Sequence, residues 1–514
     1  MAASTFVQKK TRARETAPES ILNWQNILFA LAALALLGIG IWTRMHKLDL
    51  PFDRDSYDEG VYWQSLRAMS GGQTLYQQIF YSQPPFFLLS IFPIFMLFGK
   101  TLAAARLGIV LVSLAGLAGA FLLGKAVSGR VGAIAALLLL VMSPLYLRES
   151  QTIQAEAPST ALSLLAVGLI YLWWERPDDA MGICLAVLSA LTLALSLLSK
   201  LLALPTLVPI GLLMLARCWQ ILQQPPETRL RSARSLIVGI IAFIVVSVLL
   251  VLPFAGSFQA FWQDVVTFHT AAGAPFKSSQ ASNPGLIGHM LLSLTTLAAL
   301  YGTGVAFFRR DWRVLPLLAW FLVTVLILWW YVPLFLHHLV ILVPPLVGLA
   351  AMGIGPVPQL PLNRKNVLSR GVVLSLVGLL LILAASAQGG RNIVQYYRTQ
   401  QLSNATIQQQ NKVINDLQAA TQPDQLIVTD GQFITALADR NTPPSLVDTS
   451  SVRISTKYVT YQQLVQVAEQ PQVHAVLFYT GRLAHQIPAF RTWVSQHFHL
   501  AKSYGGGKEL WIKL

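Results

Sequence analysis

Five carboxylates crowd one stretch of this chain: Asp49, Asp53, Asp55, Asp58 and Glu59. Side chains of this type at such spacing can bind a cation or take a proton from a hydroxyl. Asp53-Arg54-Asp55 is a D-x-D pair, able to hold a divalent cation through oxygen ligands. Ser56-Tyr57-Asp58-Glu59 has the S-x-x-E form of a capping box. Ser56 is therefore expected to start a helix that runs to Gly71-Gly72, with Glu59 reaching back to the Ser56 amide. Asp58 then lies in the first turn, where the positive end of the helix dipole keeps a carboxylate ionised. That favours a base or a metal ligand over a proton donor.

A second acid, Glu156, follows Arg148 and Glu149 and stands where an apolar segment begins. A carboxylate there is costly unless it faces a polar cavity. Lys200 breaks another hydrophobic stretch, and His337-His338 come after Tyr331-Val332-Pro333. Neighbouring side chains diverge on a helix, so the two histidines make a poor metal site but reasonable donors to an anion. The plainer alternatives are a solvated acidic loop and a Glu156 that snorkels to the membrane interface.

The elements that position these residues are membrane spans. Only 11% of the residues are charged and 54% are hydrophobic, against roughly 25% charged in a soluble domain. Mean hydropathy is +0.56, and apolar runs recur near the ~20 residues that cross a bilayer as a helix. A soluble globule, a disordered chain and a collagen-like array are excluded. The net charge of +15 sits mostly between hydrophobic segments and comes with no nucleic-acid-binding motif. Cys184 and Cys218 form no disulfide or zinc framework.

Spans are expected at about 27–41, 104–124, 131–147, 157–174, 181–198, 201–217, 235–253, 285–307, 314–332, 339–355 and 371–387, eleven in all. The first follows a basic tail, residues 1–26, and lacks a cleavage site, so it reads as an uncleaved span. With the N-terminus in the cytoplasm, 17 Lys and Arg fall on the inner side and eight in the outer loops before the tail. The acidic loop at about 44–103 then lies outside, as does the C-terminus. Residues 84–98 are apolar but short and carry three prolines, and are expected as an interfacial or re-entrant helix.

The catalytic membrane domain is expected over 27–390, and a soluble extracytoplasmic α/β domain over 391–514. The latter should hold a Gln-rich helix at about 401–420, strands at 426–428, 475–478 and 509–514, and helices at 459–469 and 487–498. The fold class is thus an all-α polytopic membrane domain followed by a small α/β domain.

Several short motifs occur in a fixed order. Tyr57-Asp58-Glu59-Gly60-Val61-Tyr62 follows the first span, Gly71-Gly72 comes next, then Gln83-Pro84-Pro85-Phe86, then Ala105-Arg106-Leu107, then an acid after the third span. As an ordered set over about residues 20–390, this resembles the GT-C glycosyltransferases, in the bacterial branch similar to protein O-mannosyltransferases and the lipid A aminoarabinose transferase. The resemblance implies a polyprenyl-phosphate-linked sugar as donor and Asp58 as catalytic base. It also implies Glu156 as the second-loop acid, where relatives often have Asp. Arg148, Lys200, His337 and His338 become phosphate contacts, and Tyr62 and Gln83 join the substrate-binding set. Leu446-Val447-Asp448-Thr449-Ser450 and Tyr479-Thr480-Gly481-Arg482-Leu483 resemble the outer domain of bacterial relatives, but no role transfers to them.

The implied reaction is inverting transfer to a hydroxyl of a lipid, glycan or protein on the outer face of the plasma (inner) membrane. General-base and electrostatic effects are each worth roughly 10²–10⁴-fold in such chemistry. No cofactor follows from the sequence, though Asp53 and Asp55 leave room for a divalent metal. Membrane lipids are partners and nucleic acid is not. The competing readings are a transporter or flippase of lipid-linked substrates, whose usual sign of matching internal repeats is missing, and a non-catalytic envelope-assembly protein.

Overall fold

The computed structural model describes residues 24–49, 56–355, 370–399 and 402–514. Asp53, Asp55 and most of the N-terminal tail lie outside the described residues.

Helix α1 (Trp24–Met45) is followed by two helices of the acidic loop, α2 (Ser56–Ser70) and α3 (Phe86–Leu97). Twelve residues of α3 rise only ~18 Å, short of the ~30 Å hydrocarbon core. Phe87, Leu88, Ile91 and Phe95 bury its inner face, so it packs within the fold without crossing. The next segment, α4 (Leu102–Val141), carries two of the expected spans and breaks at Ser128-Gly129. Gly129 has φ 68° and ψ −155°, a conformation open essentially to glycine alone. The chain reverses there, and the backbones of Gly124 and Gly132 meet so closely that a Cβ on Gly124 would lie 2.2 Å from the Gly132 carbonyl oxygen.

A short helix α5 (Pro144–Glu149) leads to α6 (Glu156–Glu175), α7 (Ala180–Leu197), a 3-10 turn at Leu201–Thr206, α8 (Leu207–Leu222) and α9 (Pro226–Val251). Two short helices, α10 (Phe258–Trp262) and α11 (Phe268–Ala272), continue from it. The span expected at 285–307 is in fact two helices, α12 (Asn283–Leu291) and α13 (Leu294–Phe308), bent by 77°. Ser293 causes the break locally, because its hydroxyl accepts from the Thr296 amide and starts α13 afresh. Then come α14 (Val314–Trp330), a 3-10 turn at Leu336–Leu342, α15 (Val343–Met352) and α16 (Arg370–Thr399). All eleven expected spans fall on helical segments. Among the described residues, seven helices are long and apolar enough to cross a membrane, eight with the bent pair as one span. Exposed Leu28, Leu31, Leu34, Ile240, Ile241, Ile244 and Val248 give these helices lipid-facing surfaces. The chain is an integral membrane protein.

Helix α16 runs unbroken past residue 390 to Thr399. The α/β domain follows: α17 (Asn404–Ala420), β1 (Leu426–Thr429), α18 (Gln432–Leu437), α19 (Ser451–Ser455), α20 (Tyr461–Ala468), β2 (Val473–Phe478), α21 (Arg482–Gln486), α22 (Pro488–His497), β3 (Phe498–Gly505) and β4 (Lys508–Lys513). The sheet order is β1-β2-β4-β3, with β1 and β2 parallel and the other neighbours antiparallel.

One apolar cluster spans both domains, joining Trp63, Leu66 and Phe87 to Phe433, Ala436 and Val447. Helix α2 lies at that seam. Gly60 allows it to touch α18, since a Cβ there would sit 2.3 Å from the Phe433 amide nitrogen. The Gln64 side chain donates to the Arg440 carbonyl at 2.9 Å and accepts from the Thr442 amide at 3.2 Å, while Arg67 pairs with Asp439 at 2.7 Å. On its membrane side α2 is held by Glu59. Both oxygens of that carboxylate take Arg106, Nε to Oε1 at 2.8 Å and NH2 to Oε2 at 2.6 Å, and Oε1 also accepts from the Ile153 amide at 2.9 Å. Glu59 is thus an anchor of α2 to α4.

Candidate active site

The seam roofs a cavity of about 650 Å³, within the range of small-molecule sites. Eight residues singled out from sequence line it: Asp58, Tyr62, Gln83, Arg148, Glu156, Lys200, His337 and His338. They come from α2, the segment before α3, α5, the start of α6, the α7–α8 junction and the turn before α15.

Asp58 keeps its place in the first turn of α2. Burial pushes its carboxyl up to about 6, the negative charges of Glu156 and Asp448 push the same way, and Lys200 and Arg482 only partly offset them. Desolvation thus outweighs the pull of the helix end. Such a carboxylate is still mostly ionised at neutral pH and is more basic, which suits proton abstraction.

The same cavity holds a compact polar knot. Lys200 is bonded to Glu156, and Nε2 of His337 and of His338 stand 3.4 and 3.7 Å from the same carboxylate oxygen. Glu156 is buried, and its partners supply the charge compensation that a carboxylate at the head of a span requires. Three such residues suggest a metal site, but the donors do not fit one. The Phe335 amide donates to Nδ1 of His338 at 3.2 Å, which puts the imidazole proton on Nε2. The nitrogen facing Glu156 is then a donor with no lone pair for a cation. Lys200, moreover, already occupies the carboxylate. The knot is arranged to give hydrogen bonds to an anion.

Arg148 lies at the cavity wall beside Glu149, whose carboxylate is 3.6 Å from the Arg148 Nε. Burial pushes Glu149 up to about 8. Tyr62 packs edge-on against Phe87 and Tyr81, and the Gln83 carbonyl accepts from Tyr76 at 2.7 Å.

Sequence reasoning missed the contribution of the α/β domain. Asp448, Ser450, Ser451, Val452 and Arg482 complete the cavity wall. Tyr57 joins the two domains: its hydroxyl donates to Asp448 Oδ1 at 3.2 Å and accepts from the Thr449 amide at 2.9 Å. The two short motifs of the tail were visible in the sequence, but the 391 positions separating Tyr57 from Asp448 hide their meeting.

Residues 82–252 match the family described as dolichyl-phosphate-mannose-protein mannosyltransferase. No curated protein matches the chain in sequence. Among solved structures, the fold is similar to ArnT from Cupriavidus metallidurans in the apo state, with TM-score 0.58 at 12% identity over 96% of this chain and 98% of that one. The same protein bound to undecaprenyl phosphate gives 0.56 at 13% identity, over the same shares of both chains. The apo oligosaccharyltransferase of Archaeoglobus fulgidus gives 0.53 at 13% identity, over 88% of this chain and 70% of that one. With its helical membrane domain, its acid-bearing loop helix and its small α/β roof, the chain has an ArnT-like GT-C fold.

Proposed function

We propose that this protein is an inverting glycosyltransferase that moves a sugar from a polyprenyl-phosphate donor to an acceptor hydroxyl. The observation that carries the reading is one cavity, at the junction of apolar helices and a soluble domain, in which a tuned carboxylate faces a knot of cationic and imidazole donors. ArnT of similar fold has been solved with undecaprenyl phosphate, a ligand whose long apolar tail and charged head match such a junction.

Asp58 takes the proton of the acceptor hydroxyl as its oxygen attacks the anomeric carbon. The bond from that carbon to the phosphate oxygen breaks, and the electron pair leaves with polyprenyl phosphate. Lys200, Arg148 and the Nε2–H of His338 stabilise the charge on the departing phosphate. Glu156 acts by holding Lys200 and the histidines in place, so it is a positioning residue.

The Lys/Arg bias of the loops supports an inner-membrane orientation with the cavity and the C-terminal domain outside. A reporter fused after Leu514 should be active only outside the cytoplasm, and cytoplasmic activity would reverse the assignment. Sugar transfer from radiolabelled polyprenyl-phosphate sugars by purified protein tests the reaction itself. Asp58→Asn should lower it by at least ~10²-fold at unchanged undecaprenyl phosphate binding. Near-normal turnover in that variant would remove Asp58 from the role.

A further inference from the structure

Asp448 and Arg482 line the cavity from the α/β domain, and the chemistry above makes no use of them. Their placement follows from the sheet. Strands β1 and β2 are parallel, and Arg482 stands just beyond the C-terminal end of β2, with Asp448 in the connection that leaves β1. Ligands of α/β sheets gather outside the carboxyl ends of the strands.

Both segments are held rigidly. Asp430 Oδ1 accepts from the Tyr479 amide at 2.7 Å and the Thr480 amide at 3.0 Å, and Oδ2 accepts from the Leu483 amide at 3.1 Å, which pins the turn carrying Arg482. Asp448 Oδ1 accepts from Tyr57 and, at 2.7 Å, from the Ser450 amide. The Arg482 guanidinium lies 3.8 Å above the Tyr57 ring. Among the described residues, its N–H groups and the second oxygen of Asp448 have no hydrogen-bond partner. An oriented guanidinium with unused donors suits a phosphate or carboxylate, and a free carboxylate oxygen suits a hydroxyl.

The two groups of cavity residues have different origins. Glu156, Lys200 and the histidines belong to the membrane helices, and Asp448 and Arg482 to the domain above them. Asp58 lines the same cavity as both groups, and the adjoining Tyr57 is bonded to Asp448. In an inverting displacement the nucleophile enters opposite the leaving group. We infer that Asp448 and Arg482 form the acceptor subsite, which selects a hydroxyl-bearing acceptor with an anionic substituent, phosphate or carboxylate.

This inference rests on the transferase reading, and the test keeps the two apart. Membrane vesicles from the protein's own cells, deleted for the chromosomal copy, carry the natural acceptor and receive the full chain or a variant. The probe is undecaprenyl-phosphate sugar labelled in the sugar, and incorporation is followed against vesicle concentration. Partition of the product between lipid and aqueous phases distinguishes a lipid from a soluble acceptor. Asp448→Asn and Arg482→Gln should raise the vesicle concentration for half-maximal incorporation at least ~10-fold, with undecaprenyl phosphate affinity within about twofold of the unaltered chain. Arg482→Lys keeps the charge and guards against misfolding, and it should fall between the two. If the unaltered chain transfers nothing, the transferase reading fails and takes this inference with it. If it transfers and the variants match it, or if they lose undecaprenyl phosphate binding in equal measure, the acceptor subsite alone is overturned.

Discussion

Acidification from pH 7 to pH 5 should remove most of the transfer activity, because the base itself is protonated over that range. With its carboxyl at about 6, Asp58 is about nine-tenths ionised at the upper pH and about one-tenth at the lower. An ordinary aspartate near 3.9 would stay more than about 90% ionised throughout. The expected fall is therefore roughly tenfold, where an unperturbed base would lose almost nothing. The sign is that of a raised acid: activity is present above about 6 and lost below it. Glu156→Gln should move the acid limb to lower pH for two reasons that add. It removes the negative charge nearest in effect to Asp58, and it frees the Lys200 cation from its partner. The assay is single-turnover transfer at saturating donor, so that changes in donor binding do not enter. A flat profile between pH 5 and 7, or a limb that moves to higher pH in Glu156→Gln, would refute the assignment of Asp58 and the electrostatic account of its tuning.

Two further changes test the framework around the base. Arg106→Met leaves the Glu59 carboxylate buried without its partner and should cost about 3–5 kcal/mol of stability, read as a lowered thermal unfolding midpoint in detergent; an unchanged midpoint would show that Glu59 finds compensation elsewhere. Gly60→Ala drives a methyl group into the Phe433 backbone and should separate α2 from α18, exposing the interdomain seam to limited proteolysis at a protease level the unaltered chain resists.

The spans were legible in the sequence because lipid imposes one demand, a long apolar helix, and residues such as Ile240 to Val248 meet it without reference to any partner. The 285–307 segment misled for the same reason: hydropathy is blind to a Ser293 that caps a new helix in the middle of it. In the α/β domain β1, β2 and β4 stood out as apolar runs, whereas β3 did not, since Phe498–Gly505 is an edge strand with most of its side chains exposed. Individual site residues were recognisable where type and place conflicted, as with a carboxylate at the head of a span or a lysine in an apolar stretch. Their pairing was not. Nothing local to Glu156 announces Lys200 or His338, and nothing local to Glu59 announces Arg106, because tertiary packing alone brings them together. The raised carboxyl of Asp58 likewise comes first from tertiary burial and then from the charges of residues distant in sequence, two of them on a domain that the sequence left without a role.

The two-sided grip on α2 limits how this architecture can be altered. The helix that bears Asp58 is fastened below through Glu59 to α4 and above through Gln64 and Arg67 to the segment around Asp439, Arg440 and Thr442. A chain cut after Thr399 would keep every span, yet the helix would lose its upper fastenings and the Tyr57 hydroxyl its acceptor on Asp448. The soluble region is therefore not an interchangeable cassette. Grafting the corresponding region from a relative would require the Gly60 contact surface and the Tyr57 partner to be transplanted as well, so the two halves of this protein are bound to diverge in step.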